Sequence, residues 1–100
     1  MHAESQRQFP QSLDAERAVL GGLLLDFAQV PSLSEVLDAE DFYSSAHSKV
    51  FQLMIECSNR NEPLDVLGLA DHMMSTNQVE DFGGLAYATS LPEQVPTTEN

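Results

Sequence analysis

Positive charge is scarce in this chain. Four Lys and Arg stand against sixteen Asp and Glu, a formal net charge of -12 at pH 7. Binding to a phosphate backbone needs clustered cations that displace counterions, so direct nucleic-acid binding by these residues is not expected. An anionic membrane surface is excluded on the same ground. Cysteine is nearly absent too: Cys57 stands alone, so no disulfide can form within the chain and nothing points to an oxidising compartment. No apolar run reaches the length of a membrane span, and MHAESQRQFPQ has no apolar centre to serve as a signal peptide. A cytoplasmic location is therefore expected. Internal repeats, low-complexity tracts and strand-like alternation are also missing.

What remains is helical periodicity. The hydrophobic share of 42% in one hundred residues suits a single small domain with a thin apolar core. Residues 1–11 read as a flexible tail, 12–91 as an all-α globular unit, a compact orthogonal bundle of five to six short helices, and 92–100 as a connector. Ser12 is placed to cap a first helix over 13–27, with Asp14 and Glu16 near its positive end. At about 3.6 residues per turn its main face collects Leu13, Val19, Leu20, Leu23, Leu24 and Phe27. A second stripe of Ala15, Ala18 and Gly22, flanked by Leu25, predicts close approach of another helix at Gly22. Gly21 has no such explanation, although each glycine costs a helix about 1 kcal/mol relative to alanine.

A shorter helix is expected over Val30–Leu37, with Pro31 in its first turn and Val30, Leu33, Val36 and Leu37 facing inward. Ser44 or Ser45 caps a third helix from about Ala46 to Asn59, whose apolar arc holds Val50, Phe51, Met54, Ile55 and Cys57. Asp65 caps a fourth, running to about Ser75 and burying Val66, Leu69, Ala70, Met73 and Met74. A fifth covers Leu85–Ser90 and ends at LPEQVP, because neither proline continues helical hydrogen bonding. Thr97 reads as the N-cap of a further element.

Chemistry has no evident home in this pattern. The pairs Gly21–Gly22 and Gly83–Gly84 lack the Lys and Ser or Thr of a phosphate loop. His47 lies within the third helix's apolar arc, where a structural role beside a carbonyl or carboxylate is expected. His72 falls on a polar face, and neither belongs to an HExxH or Cys/His array, so no metal site is expected. Cys57 reads as a small buried hydrophobe. Asp38, Glu40 and Asp41 lack the alternation of a calcium loop and read as a solvated corner. No catalytic or cofactor-binding residue is expected. The residues of expected structural weight are Ala15, Ala18, Leu20, Gly22, Leu24, Phe42, His47, Phe51, Asp65 and Leu69.

Four segments stand in a telling order: PQSLDAERAVLGGLLLD, DFYSSAHSKVF, EPLDVLGLADHM and FGGLAYATSL. With them, from Pro10 to Asn100, the chain resembles the N-terminal domain of replicative DNA helicases of the DnaB family. Arg17, where that family more often has glutamine, and Ser44–Ser45, where it more often has a basic residue and proline, depart from the pattern at surface or capping positions. The resemblance implies a helical domain leading into a hairpin, a linker and a RecA-like motor beyond Asn100 that binds ATP and Mg. It implies hexameric rings in which such domains form a collar, with primase or a helicase loader and other protomers as partners, and with DNA reached only through the motor. An acidic stand-alone adaptor, of phage or plasmid type, that binds host replication proteins is the alternative.

Overall fold

A computed structural model describes residues 12–95. The expected tail and the cap at Thr97 lie outside these residues. The described residues form five α-helices, α1 (Leu13–Leu25), α2 (Val30–Ser34), α3 (Ser45–Asn59), α4 (Val66–Ser75) and α5 (Leu85–Thr89), with 3-10 turns at Phe27–Gln29, Ala39–Asp41 and Glu80–Phe82 between helices and at Leu91–Gln94 after α5. No strand occurs among the described residues, and none of their helices is long and apolar enough to cross a membrane.

Local polar chemistry sets where the three long helices begin. The Ser12 hydroxyl accepts from Ala15 N at 3.0 Å, Ser44 from His47 N at 3.3 Å, and the Asp65 carboxylate from Gly68 N at 2.8 Å. Each satisfies a first-turn N–H that has no partner within its helix. The ends are equally local. Asn61 and Asn77 take φ of 59° and 60° just past α3 and α4, and the next N–H turns back, from Glu62 to the Cys57 carbonyl and from Gln78 to the Met73 carbonyl. A short polar side chain tolerates the left-handed backbone that closes a helix this way.

The core is one cluster to which all five helices and the turns between and after them contribute. Leu20, Phe51, Met54, Leu69, Met73 and Leu91 are fully buried, and Leu23, Leu24, Phe42 and Leu53 nearly so. Phe42 and Phe51 meet with ring centroids 5.1 Å apart at a 43° tilt, a geometry that adds to their apolar burial.

Several expectations fail in ways that periodicity alone could not foresee. Helix α1 stops at Leu25, and Phe27 begins a 3-10 turn. Leu13 and Leu25 are exposed. Ala15, Ala18 and Gly22 are half-buried, and a Cβ placed on Gly22 would meet nothing within 4 Å. The tight position is its neighbour. A Cβ on Gly21 would stand 2.1 Å from the carbonyl oxygen of Leu91, so Gly21 is the glycine that close packing requires. Helix α2 ends at Ser34, and Val36, turned out of register, is 69% exposed. Met74 is 55% exposed because α4 presents only one face, with Leu69 and Met73, to the core. His72, expected on the solvated side, is half-buried and lies edge-on to Phe82 at 6.0 Å. Beyond α5 the turn Leu91–Gln94 packs across α1.

Candidate functional site

The most concentrated polar structure in the described residues is internal. Glu16, one turn into α1, is 0% exposed, and His47, in the first turn of α3, is 1% exposed. The His47 Nδ1 lies 2.6 Å from Glu16 Oε1, and its Nε2 lies 2.5 Å from the Tyr87 hydroxyl on α5. Glu16 also accepts two backbone N–H groups from the entrance to α3: Tyr43 N to Oε2 at 2.6 Å and Ser44 N to Oε1 at 3.3 Å. The carboxylate thus has three donors, and with Nδ1–H donating to it, Nε2 is left to accept from the tyrosine.

Three separate segments build this junction. DAER supplies Glu16; FYSSAH supplies two backbone donors, the Ser44 cap and His47; FGGLAY supplies Tyr87. The glycines of the last segment have a definite task. Gly83 and Gly84 take φ of 92° and 97°, which reverses the chain after buried Phe82 and starts α5 with Ala88 N bonded to the Gly84 carbonyl. A Cβ on Gly83 would stand 2.9 Å from the Tyr87 ring. The fourth segment, EPLDVLGLADHM, contributes the Asp65 cap and Leu69 to the packing beneath.

Glu16, expected to act on the dipole of its own helix, instead binds the start of another. His47 is held by a carboxylate and a phenol. Tyr87 carried no sequence signal, since a partner forty residues away leaves no local pattern. The remaining sequence-selected residues stay apart from this junction. Cys57 is buried, its thiol pushed up by burial and partly offset by Arg60 nearby. Asp38 and Asp41 form a reciprocal cap on the turn Ala39–Asp41. Among the described residues no group of three or more His, Cys, Asp or Glu is placed to hold a metal ion.

The outer surface carries apolar side chains, with Tyr43 the most exposed at 87% and Leu67, Val36 and Leu25 following. Tyr43 is notable because its backbone N–H is bound by buried Glu16 while its ring stands in solvent. A buried anion thereby fixes the backbone beneath an exposed aromatic. The arrangement is a buried polar junction lying beneath a presented surface.

Known proteins match this scaffold closely. The family described as the DnaB-like helicase N terminal domain matches residues 8–100. The replicative DNA helicase DnaB of Geobacillus stearothermophilus is 42% identical over 96 residues, 96% of this chain and 21% of that protein. That of Treponema pallidum is 42% identical over 91 residues, again 21% of its length. The crystal structure of the N-terminal domain of DnaB helicase from Mycobacterium tuberculosis superposes with a TM-score of 0.76 at 35% identity, covering 88% of this chain and 61% of that one. The chain therefore spans about one fifth of the helicases it matches. With a shared fold and a match along nearly its whole length, it belongs to the family of DnaB-like helicase N-terminal domains.

Proposed function

We propose that this chain is the collar and docking domain of a hexameric replicative DNA helicase, supporting ring assembly and offering a surface to primase or to a helicase loader. The observation that carries this reading is the family match over residues 8–100 in a chain that corresponds to only a fifth of each replicative helicase it resembles. The rigid buried junction and the absence of an evident catalytic arrangement among the described residues fit a domain that works through its surface. On this reading ATP and Mg belong to a motor elsewhere in the parent protein, and DNA is engaged there. Residues 12–91 are the globular part and 92–100 the way toward a helical hairpin.

Isothermal titration tests the docking role directly. The chain, and a version extended by the next two helices of its gene, are titrated with the primase and with the loader from the same source. Saturable binding of either partner is the expected result. If neither version binds either protein, while the intact helicase does, the docking role is wrong.

A further inference from the structure

The ring of His47 stands between two oxygens of different kinds. Its Nδ1 faces the Glu16 carboxylate, which only accepts, and its Nε2 faces the Tyr87 hydroxyl, which either donates or accepts. The proton on Nδ1 is fixed by its partner, whereas the state of Nε2 is not. With the imidazole neutral, the hydroxyl donates to Nε2. With a second proton on Nε2, the same oxygen accepts from it. The two atoms lie 2.5 Å apart, so passing between these states needs no movement of the ring or of α5. Glu16 and His47 are sealed from solvent, while Tyr87 is half-buried and is the member of the three that reaches it.

Charge favours the second proton. Two of the donors to Glu16 are neutral backbone N–H groups, and while the ring is neutral the buried carboxylate has hydrogen bonds but touches no cation among the described residues. A protonated His47 supplies the missing countercharge at 2.6 Å. The elements packed on α3 act in the same direction. The turn Ala39–Asp41 carries Glu40 and Asp41, the turn Glu80–Phe82 carries Glu80 and Asp81, and α2 carries no charged residue. On α1, Arg17 is engaged by Asp14, and on α3 itself Lys49 is exposed.

We propose that Glu16, His47 and Tyr87 form a proton-operated joint: His47 takes up a second proton in place, the Tyr87 hydroxyl reverses from donor to acceptor, and the contact between α1 and α3 passes from a hydrogen bond to a buried ion pair. The proton comes from solvent and stays on Nε2, and no other covalent bond changes. The joint is then tighter in acid than in base. That is the reverse of a buried neutral histidine, which must be expelled before it is charged and so unfolds its surroundings in acid. The inference concerns the domain alone and needs neither partner nor motor.

Nitrogen and carbon NMR of the side-chain rings, on the hundred-residue chain titrated downward from about pH 8, reads each part of this. At the start His47 carries its proton on Nδ1 alone. On acidification Nε2 is protonated while the amide signals of Tyr43 and Ser44 remain in the folded spectrum, and the hydroxyl-bearing carbon of Tyr87 shifts with the same midpoint. A ring that stays singly protonated until the domain unfolds overturns the proposal. So does loss of the folded Tyr43 and Ser44 signals as the ring titrates, or a Tyr87 carbon that does not follow it. This titration needs no variant. Tyr87→Phe then isolates the hydroxyl. A charged N–H without an acceptor costs more than a neutral nitrogen without a donor, so His47 in the variant binds its second proton at least about threefold more weakly. Equal proton affinity in parent and variant would make Tyr87 a packing residue only, and the reversal wrong.

Discussion

The Glu16 carboxylate on α1 and the His47 ring on α3 meet 2.6 Å apart with both side chains cut off from solvent. Their bond is one edge of a larger closure, since Glu16 also holds the N–H groups of Tyr43 and Ser44 and His47 reaches Tyr87. One carboxylate thereby joins α1 to the start of α3 and, through the ring, to α5. Burying such groups is tolerable because every donor around the carboxylate is directed at it.

Replacing Glu16 with glutamine tests this closure. The shape is kept, but an amide NH2 then faces groups that are themselves donors, leaving buried N–H groups without acceptors. A loss of about 3 kcal/mol is expected, read as a lower urea midpoint at pH 7. Tyr87→Phe removes only the outer partner, and about 1 kcal/mol is expected. A Glu16→Gln midpoint equal to the parent's would mean that the junction contributes nothing to stability.

The two glycines of α1 give a prediction of opposite sign. Gly22 is half-buried, helical and free of any neighbour within reach of a Cβ. Gly22→Ala therefore removes backbone entropy from the unfolded chain at no steric cost, a gain of about 1 kcal/mol. For a domain of this size that is a rise of roughly 4–8 °C in Tm. A fall in Tm by calorimetry would show that something does pack on Gly22.

These glycines also mark the boundary of what sequence reading could reach. Ser12, Ser44 and Asp65 were legible as caps because the groups they satisfy lie three residues away. The faces carrying Leu20, Leu24, Phe51 and Leu69 were legible because burial follows helical period. Period says which residues share a face, however, and not what lies across from it. Period favours Gly22 over Gly21 because Gly22 lines up with Ala15 and Ala18, whereas the decisive neighbour is the carbonyl of Leu91, seventy positions on. Local sequence likewise points Glu16 at the dipole of its own helix. Its real partners are 27 to 31 residues distant. The family resemblance caught the segments that build the junction, but only the fold shows that three of them meet there.

Cys57 links burial to pH. Desolvation pushes its thiol up from the ordinary value, with Arg60 opposing. Below the ordinary thiol range, near about 8.5, folded and unfolded chains both hold the proton and stability is unaffected. As pH rises through that range the unfolded chain releases its proton first, which favours unfolding, so the urea midpoint should decline there. Cys57→Ser should lose this alkaline decline. Ellman's reagent should likewise react at least about tenfold more slowly with the folded chain than with the chain in denaturing urea. Equal rates would place the thiol at the surface.

Charge decides the last prediction. Two of the described cations are already paired with carboxylates, Arg17 with Asp14 and Arg60 with Glu62, on a chain whose formal net charge is -12. A single-stranded nucleic acid needs a positive groove that follows its backbone, with aromatic platforms for its bases. Among the described residues Tyr43 is the one exposed aromatic ring, and Asp38, Glu40 and Asp41 precede it in the chain. Approach of a phosphate chain is therefore repelled at long range, and bringing the two together gathers counterions where productive binding would release them. No submicromolar affinity for a labelled oligonucleotide is expected at physiological salt in a fluorescence anisotropy titration. Lowering the ionic strength lengthens the reach of the repulsion and should not create binding. Tight binding that weakens as salt is added would reveal a cationic path on this chain.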